Sequence, residues 1–333
     1  MMINLNAGAL RQAMDDTRAG NLLEATALIQ KTLGQHGLLD QTAASAPWQQ
    51  RPHKPRTGRL TYSCDAGSRA YVLHVPTAPV QGLLMMLHGC TQTPEDFAAG
   101  TNIVDSALAL GWAVVFPAQS RGDNAQSCWN WFSGADQQRD RGEPAILAGL
   151  ARELAMKHGV PKNRTFVAGL SAGGAMAVIL GETYPDVFSG VAVHSGLPYG
   201  SARGVNEAFA AMTGNPARRS GKTRTAAVPT IVFHGTADRT VVAANGGQII
   251  ADSLAKAEGQ QTQIVQTGSA QGKSFTQTAT LATDGSPLTE HWEIDGLGHA
   301  WSGGNPAGSH TDANGPSASA EILRFFTDIS GEV

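Results

Sequence analysis

The sequence predicts an α/β fold with a mostly parallel central sheet flanked by helices, and three observations lead to it. From Gly58 onwards, short apolar runs alternate with segments of helical character. Some runs, such as Leu83–Leu87, are apolar at every position, which is typical of strands buried on both faces of a parallel sheet. The pentapeptide Gly169–Gly173 has the pattern G-x-S-x-G and lies between a strand-like and a helix-like run. It therefore predicts a sharp turn from strand to helix.

The remaining strands and helices are assigned from the same two kinds of pattern. Arg59–Cys64 and Ala70–Val75 alternate apolar and polar residues, which predicts a hairpin at a solvated edge of the sheet. Further strands are predicted at Ala113–Phe116, Arg164–Ala168, Val191–Val193, Thr230–Phe233 and His291–Ile294, and helices at Ile103–Leu110, Pro144–His158, Gly174–Leu180, Gln248–Ala257 and Ala318–Ile329. The glycine- and threonine-rich stretch Gln260–Ser286 is predicted to be a strand pair or a loop.

Residues 1–57 differ in character from the rest of the chain. Residues 1–34 are predicted to form a helical hairpin, because apolar residues recur on one helical face until Gly34 ends the pattern. Gln35–Thr57 contains three prolines among mixed polar residues and is predicted to be a linker. We therefore expect an N-terminal helical segment with its linker at 1–57 and one larger α/β domain at 58–333.

Composition and charge exclude several classes of protein. The 333 residues are 41% hydrophobic and 15% charged, with a net charge of -3, which gives no reason to expect a nucleic-acid or anionic-membrane partner. No apolar run is long enough to span a membrane. The first residues lack the basic segment and apolar segment of a secretory signal. A cytoplasmic location is expected for the sequence as it stands, and secretion if its natural start has been trimmed.

Three cysteines without a C-x-x-C pattern predict neither a disulfide framework nor a zinc or redox site, although one pair could still form a bridge. No metal or cofactor is expected, and the oligomeric state is not predicted.

Ser171, at the centre of the G-x-S-x-G turn, is the candidate nucleophile. Such a turn leaves room only for hydrogen as the neighbouring side chains, and its strained backbone holds the hydroxyl at the sheet edge. A serine nucleophile needs a base and an orienting acid, and this fold supplies them in the chain order Ser, Asp or Glu, His. Asp238 and His299 each follow a predicted strand and fill these roles. Asp295 is a rival acid close to His299, but Asp238 is favoured because it follows a separate strand.

These residues predict a nucleophilic mechanism. His299 would take the proton of Ser171 as its Oγ attacks a carbonyl carbon, and Asp238 would hold the imidazole ring. The oxyanion is expected to bind the backbone N–H of Ala172 and that of Cys90, which lies in the loop after an earlier strand. Three other histidines at strand ends are interpreted as turn-stabilising residues: His88, His194 and His234.

Three tryptophans lie in predicted loops near the site: Trp129, Trp131 and Trp301. Aromatic residues at alternate positions, as in Cys128–Phe132, are usually core residues. Flat apolar walls also suit an ester chain or ring. Both interpretations stay open for Trp131 and Phe132, and the three tryptophans are the candidate substrate contacts.

With these motifs in hand, the chain resembles the polyhydroxybutyrate (PHB) depolymerase family of esterases, which is related to the feruloyl and acetylxylan esterases. The similar segments are Leu87–Gln92, Cys128–Phe132, Gly169–Gly174, His234–Asp238 and Gly298–Gly304, and the similarity covers roughly residues 58 to 333. The resemblance implies an α/β-hydrolase fold, the triad named above, an oxyanion role for Cys90 and aromatic substrate contacts. It also implies a disulfide between Cys90 and Cys128, which would leave Cys64 free.

The resulting expectation is a cofactor-independent serine esterase that acts through an acyl-enzyme on hydroxybutyrate or other polyhydroxyalkanoate oligomers, or on related polyesters. Secreted polymer-degrading members of the family usually carry a signal peptide, a linker and a polymer-binding domain, which this sequence does not show. Short oligomers or small esters are therefore favoured over solid polymer. The alternatives are a feruloyl- or acetylxylan-type carbohydrate esterase and a non-catalytic scaffold that keeps the hydrolase fold.

Overall fold

The computed structural model describes residues 59–216 and 227–331, and a ten-stranded sheet runs through the middle of them. Its strands are β1 (Leu60–Cys64), β2 (Gly67–His74), β3 (Gly82–Leu87), β4 (Trp112–Pro117), β5 (Thr165–Leu170), β6 (Gly190–His194), β7 (Thr230–Gly235), β8 (Thr262–Ala270), β9 (Lys273–Leu281) and β10 (Pro287–Ile294). They are ordered β1-β2-β4-β3-β5-β6-β7-β10-β9-β8. The six strands from β4 to β10 in this order pair in parallel, and the pairs outside them are antiparallel.

Helices cover both faces of the sheet. They are α1 (Pro94–Thr101), α2 (Val104–Ala109), α3 (Gly142–His158), α4 (Ala172–Thr183), α5 (Val205–Met212), α6 (Ala244–Leu254) and α7 (Ala318–Ser330), with a short 3₁₀ turn at Ala135–Gln137 and a small parallel pair, β11 (Trp301–Ser302) with β12 (Thr311–Asp312). Helices α3 to α6 contribute to one apolar core, while α1, α2 and α7 contribute to the core on the opposite face. Every residue of β3 to β7 is buried, because each of these strands is covered on both sides.

The predicted fold class is confirmed, and most of the predicted strands and helices lie within a few residues of their observed bounds. Gln260–Ser286 contains the antiparallel pair β8 and β9, which is the first of its two predicted alternatives. Helices α1 and α5 were not predicted. Helix α1 contains a proline and a glycine in eight residues, which weakens the helical pattern, whereas α5 buries Val205, Ala208 and Phe209 at helical spacing and could have been recognised.

The predicted helical hairpin and linker at 1–57 lie outside the described residues, so the proposed domain boundaries stay predictions. No helix in the two described ranges is long and apolar enough to cross a membrane. Because the central strands are parallel, their carboxyl ends meet at one edge of the sheet. The loops that follow Leu87, Leu170, Gly235 and Ile294 therefore lie close together.

Candidate active site

Ser171 lies on a strained turn between β5 and α4. Its backbone has φ 57° and ψ -118°, which L residues rarely adopt and which costs on the order of 1–3 kcal/mol. A Cβ added at Gly169 would overlap the backbone of Gly173, and one added at Gly173 would overlap the carbonyl of Leu87. The turn therefore requires both glycines. The Ser171 N–H donates to the carbonyl of His194 at 2.9 Å, which holds the turn against the neighbouring strand.

The structure brings Asp238 and His299 together at the same edge of the sheet. Nδ1 of His299 lies 2.7 Å from Oδ2 of Asp238. The Asp238 side chain is fully buried, and that of His299 is 15% exposed. His299 and Ser171 line one cavity. The rival acid Asp295 follows β10 and is exposed to solvent. Its backbone N–H donates to the carbonyl of Ser274 on the neighbouring strand β9.

Asp238 is held in the ionised state by its surroundings. Burial on its own would raise the pKa of Asp238, but the nearby His299 ring and its hydrogen bond outweigh that effect, so the pKa is lowered from its usual value. The second carboxylate oxygen, Oδ1, accepts the backbone N–H groups of Thr240 and Val241, each at 2.9 Å. These bonds leave Oδ2 directed at the imidazole.

Two backbone N–H groups are available at the cavity for a developing oxyanion. Within the described residues, neither Cys90 nor Ala172 has an acceptor for its N–H, and both residues line the cavity. The neighbouring donors are occupied, since Gly89 N–H bonds Oε1 of Gln92 at 2.9 Å and Thr91 N–H bonds the Gln126 carbonyl at 2.6 Å. Most backbone N–H groups in native proteins have an acceptor, and two N–H groups without one on a cavity wall beside a candidate nucleophile suit an oxyanion hole.

His88 fixes the direction of the Cys90 donor. Gln119 N–H donates to Nε2 of His88 at 3.1 Å, so the ring proton lies on Nδ1, which donates to the carbonyl of Gly89 at 2.8 Å. The C=O and N–H of a trans peptide point in opposite directions. Anchoring the Gly89 carbonyl therefore sets the orientation of the Cys90 N–H. Burial lowers the pKa of His88 to about 4, so the ring is neutral near pH 7.

His194 links two other parts of the site. Its carbonyl holds the Ser171 turn, and its Nε2 accepts the backbone N–H of Ser302 at 3.1 Å, in the segment just after His299. Burial lowers the pKa of His194 to about 3, which keeps Nε2 an acceptor. Together with His234, whose Nε2 donates to the Val241 carbonyl at 2.8 Å, these histidines bond to the turns beside the candidate triad, in agreement with their predicted turn-stabilising role.

The cavity wall is mostly apolar and includes only one of the three predicted tryptophans. Trp131 and Phe132 line it, with their rings in an edge-to-face contact at 5.6 Å. The other apolar lining residues include Leu170, Ala172, Leu197, Ala208, Met212 and Val241. Thr91, Thr240 and His310 add polar groups. None of the described lining residues is Asp, Glu, Lys or Arg.

Trp129 and Trp301 do not line this cavity, which corrects the prediction that they contact substrate. Trp129 is fully buried, and its indole N–H donates to the His88 carbonyl at 3.1 Å. Trp301 packs edge-on against Phe97 and donates to Oγ of Ser319 at 3.1 Å, in the core on the opposite face of the sheet. Both indoles are core residues whose polar end has a buried partner, as is usual for buried tryptophan.

A disulfide joins Cys90 to Cys128, and Cys64 is free and exposed. The bridge attaches the loop that carries the candidate oxyanion donor to the segment that carries Trp131 and Phe132. Two walls of the cavity are thus covalently connected.

A buried polar network centred on Glu143 binds the segment Cys128–Phe132 through Cys128 and Asn130. The Glu143 carboxylate accepts the backbone N–H of Asn130 at 2.7 Å, the Asn130 side-chain amide at 2.9 Å and the guanidinium of Arg69 at 3.1 Å, as well as the side-chain amide of Gln119. Gln119 in turn bonds the Cys128 carbonyl at 2.9 Å. The sequence does not predict this network, because no local motif marks residues that meet only after folding.

Glu143→Ala should destabilise the protein by about 1–3 kcal/mol for each buried donor left without an acceptor, because the backbone N–H and the side-chain amide of Asn130 both lose their partner and Arg69 keeps only Asp123 as a carboxylate partner. The measurement is urea unfolding followed by fluorescence. Glu153→Ala, an exposed position on the same helix, is the matched control and should change the free energy of unfolding by less than about 0.5 kcal/mol. Equal stabilities of the two variants would contradict the structural role of the network.

In the parts of the chain that the structure describes, no cluster of three or more His, Cys, Asp or Glu side chains is arranged to hold a metal ion. The cavity residues on α5 and the residue His310 were also missed, since they follow no catalytic motif.

The parallel sheet and its serine-bearing turn between strand and helix define the class of α/β hydrolases. An acetyl xylan esterase from Aspergillus awamori has a similar fold, with a TM-score of 0.57 at 17% identity over 78% of this chain and 93% of that one. A family model, Esterase PHB depolymerase, matches residues 69–271. The chain belongs to this family.

Two curated relatives agree with that assignment. Poly(3-hydroxyalkanoate) depolymerase C of Paucimonas lemoignei is 32% identical over 270 residues, which cover 76% of this chain and 62% of the relative. Poly(3-hydroxybutyrate) depolymerase of Ralstonia pickettii is 29% identical over 257 residues, which cover 71% of this chain and 51% of the relative. The chain thus spans between half and two thirds of the length of these relatives.

Proposed function

We propose that this chain is a serine esterase that hydrolyses carboxylic esters through an acyl-enzyme. The observation that carries the proposal is the 2.7 Å contact between His299 and Asp238 beside a cavity that also contains Ser171. The strained turn at Ser171 and the two N–H groups without acceptors support the same mechanism.

In this mechanism Oγ of Ser171 attacks the ester carbonyl while Nε2 of His299 takes its proton. Asp238 stabilises the imidazolium that forms, and the oxyanion binds the N–H groups of Cys90 and Ala172. The tetrahedral intermediate then collapses, the C–O bond to the alcohol breaks, and His299 returns the proton to the departing alkoxide. In the second half His299 takes a proton from water as the water attacks the acyl carbon, the bond from that carbon to Oγ of Ser171 breaks, His299 returns the proton to Oγ, and the carboxylic acid leaves.

The proposed substrates are hydroxybutyrate or other polyhydroxyalkanoate oligomers and related polyesters. The relatives' names point to this class, and an apolar cavity without formally charged lining residues, apart from histidine, suits a neutral aliphatic ester. A feruloyl- or acetylxylan-type esterase is the second candidate, because Trp131 and Phe132 offer an aromatic wall to a phenolic ring.

Covalent labelling and a substrate panel test the proposal. Diisopropyl fluorophosphate should lose fluoride and form a P–O bond at Ser171, so peptide mapping should find the label there, and His299→Ala should abolish labelling. Among a 3-hydroxybutyrate trimer, methyl ferulate and acetylated xylan, the trimer should give the highest kcat/KM. A preference for ferulate or acetyl groups would support the second candidate. A protein that neither reacts nor hydrolyses any ester would be a non-catalytic scaffold.

The catalytic domain is proposed to extend over residues 58–333, as the sequence predicted. The cytoplasmic location expected from the sequence stays a prediction. The disulfide between Cys90 and Cys128 is an observation against it, since the cytosol normally keeps thiols reduced. Cell fractionation of the source organism would decide between the two locations.

A further inference from the structure

We propose that His234 is a positioning residue that aligns the triad acid, because it holds closed the turn from which Asp238 reaches His299. The proposal rests on the proposed esterase function. It concerns a residue that does not touch the reacting atoms and that acts through Asp238 alone.

Hydrogen bonds connect His234, at the end of β7, to the turn from Asp238 to Val241. His234 belongs to the end of β7, and its Nε2 lies 2.8 Å from the carbonyl of Val241. The N–H of Val241 and that of Thr240 both donate to Oδ1 of Asp238 at 2.9 Å. The ring of His234 also lies beside the other carboxylate oxygen, with Nε2 3.6 Å from Oδ2 of Asp238. The His234 side chain therefore holds the far end of the turn whose amides orient the carboxylate, beside the bond that the N–H of Val242 donates to the carbonyl of Met212 at 3.0 Å.

The hydrogen-bond partners of the His234 ring show which of its two nitrogen atoms holds the turn. A carbonyl only accepts hydrogen bonds, so Nε2 must carry the proton that it donates to Val241. Nδ1 has no partner within the described residues and faces the backbone of Gly246, where an added Cβ would lie 2.9 Å away. Burial lowers the pKa of His234, so the ring acts as a neutral N–H donor and not as a cation. The positioning role thus depends on a single N–H at the Nε2 position.

Loss of that donor has a specific consequence for catalysis. The buried carbonyl of Val241 would lose its partner, and the turn from Asp238 to Val241 would lose one of the hydrogen bonds that set its position beside β7. Because Oδ2 of Asp238 meets His299 at 2.7 Å, a small rotation lengthens this contact. Misplacement of a catalytic group by about 1 Å costs on the order of 100-fold in rate. The loss should be in kcat more than in KM, since the apolar wall remains.

Three substitutions at His234 separate this role from a general effect on the fold. His234→Leu removes the donor, and kcat for p-nitrophenyl butyrate should fall about 100-fold. His234→Gln places an amide N–H near the Nε2 position and should restore kcat to within about tenfold of the wild type. His234→Asn keeps an amide but ends at the Nδ1 position, so it should behave like His234→Leu.

Should the leucine variant fail to fold, the comparison of glutamine with asparagine still decides, and equal kcat values for those two would overturn the proposal. His74, a half-buried histidine on β2, is the control, and His74→Leu should leave kcat unchanged.

A double-mutant cycle tests whether the effect passes through the acid. In an Asp238→Asn background, His234→Leu should lower kcat by less than about twofold more, because coupled residues are not additive. A full additional 100-fold loss, or an unchanged kcat for a folded His234→Leu protein, would overturn the positioning role. The proposed esterase function fails separately, if the wild-type protein hydrolyses no ester, whereas wild-type activity in Asp238→Asn would remove Asp238 as the triad acid and overturn the positioning role alone.

Discussion

Replacing Ser171 with alanine should lower kcat for p-nitrophenyl butyrate by about a millionfold, the size of effect seen when a triad serine is removed from a hydrolase. The substitution deletes only Oγ. Its Cβ remains, so the backbone at φ 57° is no more strained than before. The candidate oxyanion donors and the cavity also remain, which should leave a residual rate above that in water. The measurement is stopped-flow or long-time-course hydrolysis of the purified variant.

Ser201→Ala provides the matched control. Ser201 is buried, and within the described residues its hydroxyl has no hydrogen-bond partner. The control should therefore retain wild-type kcat and a similar melting temperature. Hydrolysis by Ser171→Ala at more than about one hundredth of the wild-type rate would show that another nucleophile does the chemistry.

The candidate triad residues could be recognised in the sequence because each is marked by its local context. Ser171 lies between two glycines at the end of an apolar strand, and Asp238 and His299 follow apolar strands in the order that the fold requires. The contact between acid and base is less local. It forms because β10 pairs directly with β7, although β8 and β9 separate them in the chain and lie outside them in the sheet.

Residues whose role depends on burial could not be assigned in the same way. Trp131 and Trp129 are two positions apart in one motif, yet the first lines the cavity and the second packs under His88. Alternation alone does not say which of two aromatic side chains faces a cavity. The carboxylate of Glu143 is 74 residues from its partner Arg69, so only the folded chain shows that the two support one loop.

Asp238→Asn should lower kcat for the same ester by about 10⁴-fold, with little change in KM. The carboxylate is buried and its pKa is lowered, so in the native protein it presents a negative oxygen to Nδ1 of His299 across 2.7 Å. An asparagine amide directed at His299 favours the wrong tautomer and cannot stabilise the imidazolium. If its oxygen is directed there instead, the amide N–H groups meet the backbone N–H donors of Thr240 and Val241. Either orientation removes the electrostatic contribution of the acid.

Asp295→Asn distinguishes this role from that of the rival acid. Asp295 is exposed at the end of β10, and its backbone N–H bonds to Ser274. Its replacement should change kcat by less than about twofold, the range expected for an exposed polar residue outside the site. If Asp295→Asn were the damaging variant and Asp238→Asn the silent one, the acid partner of His299 would be Asp295, which follows the same strand, β10. The pairing of β7 with β10 would then have no part in catalysis, and Asp238 would serve only to close its turn.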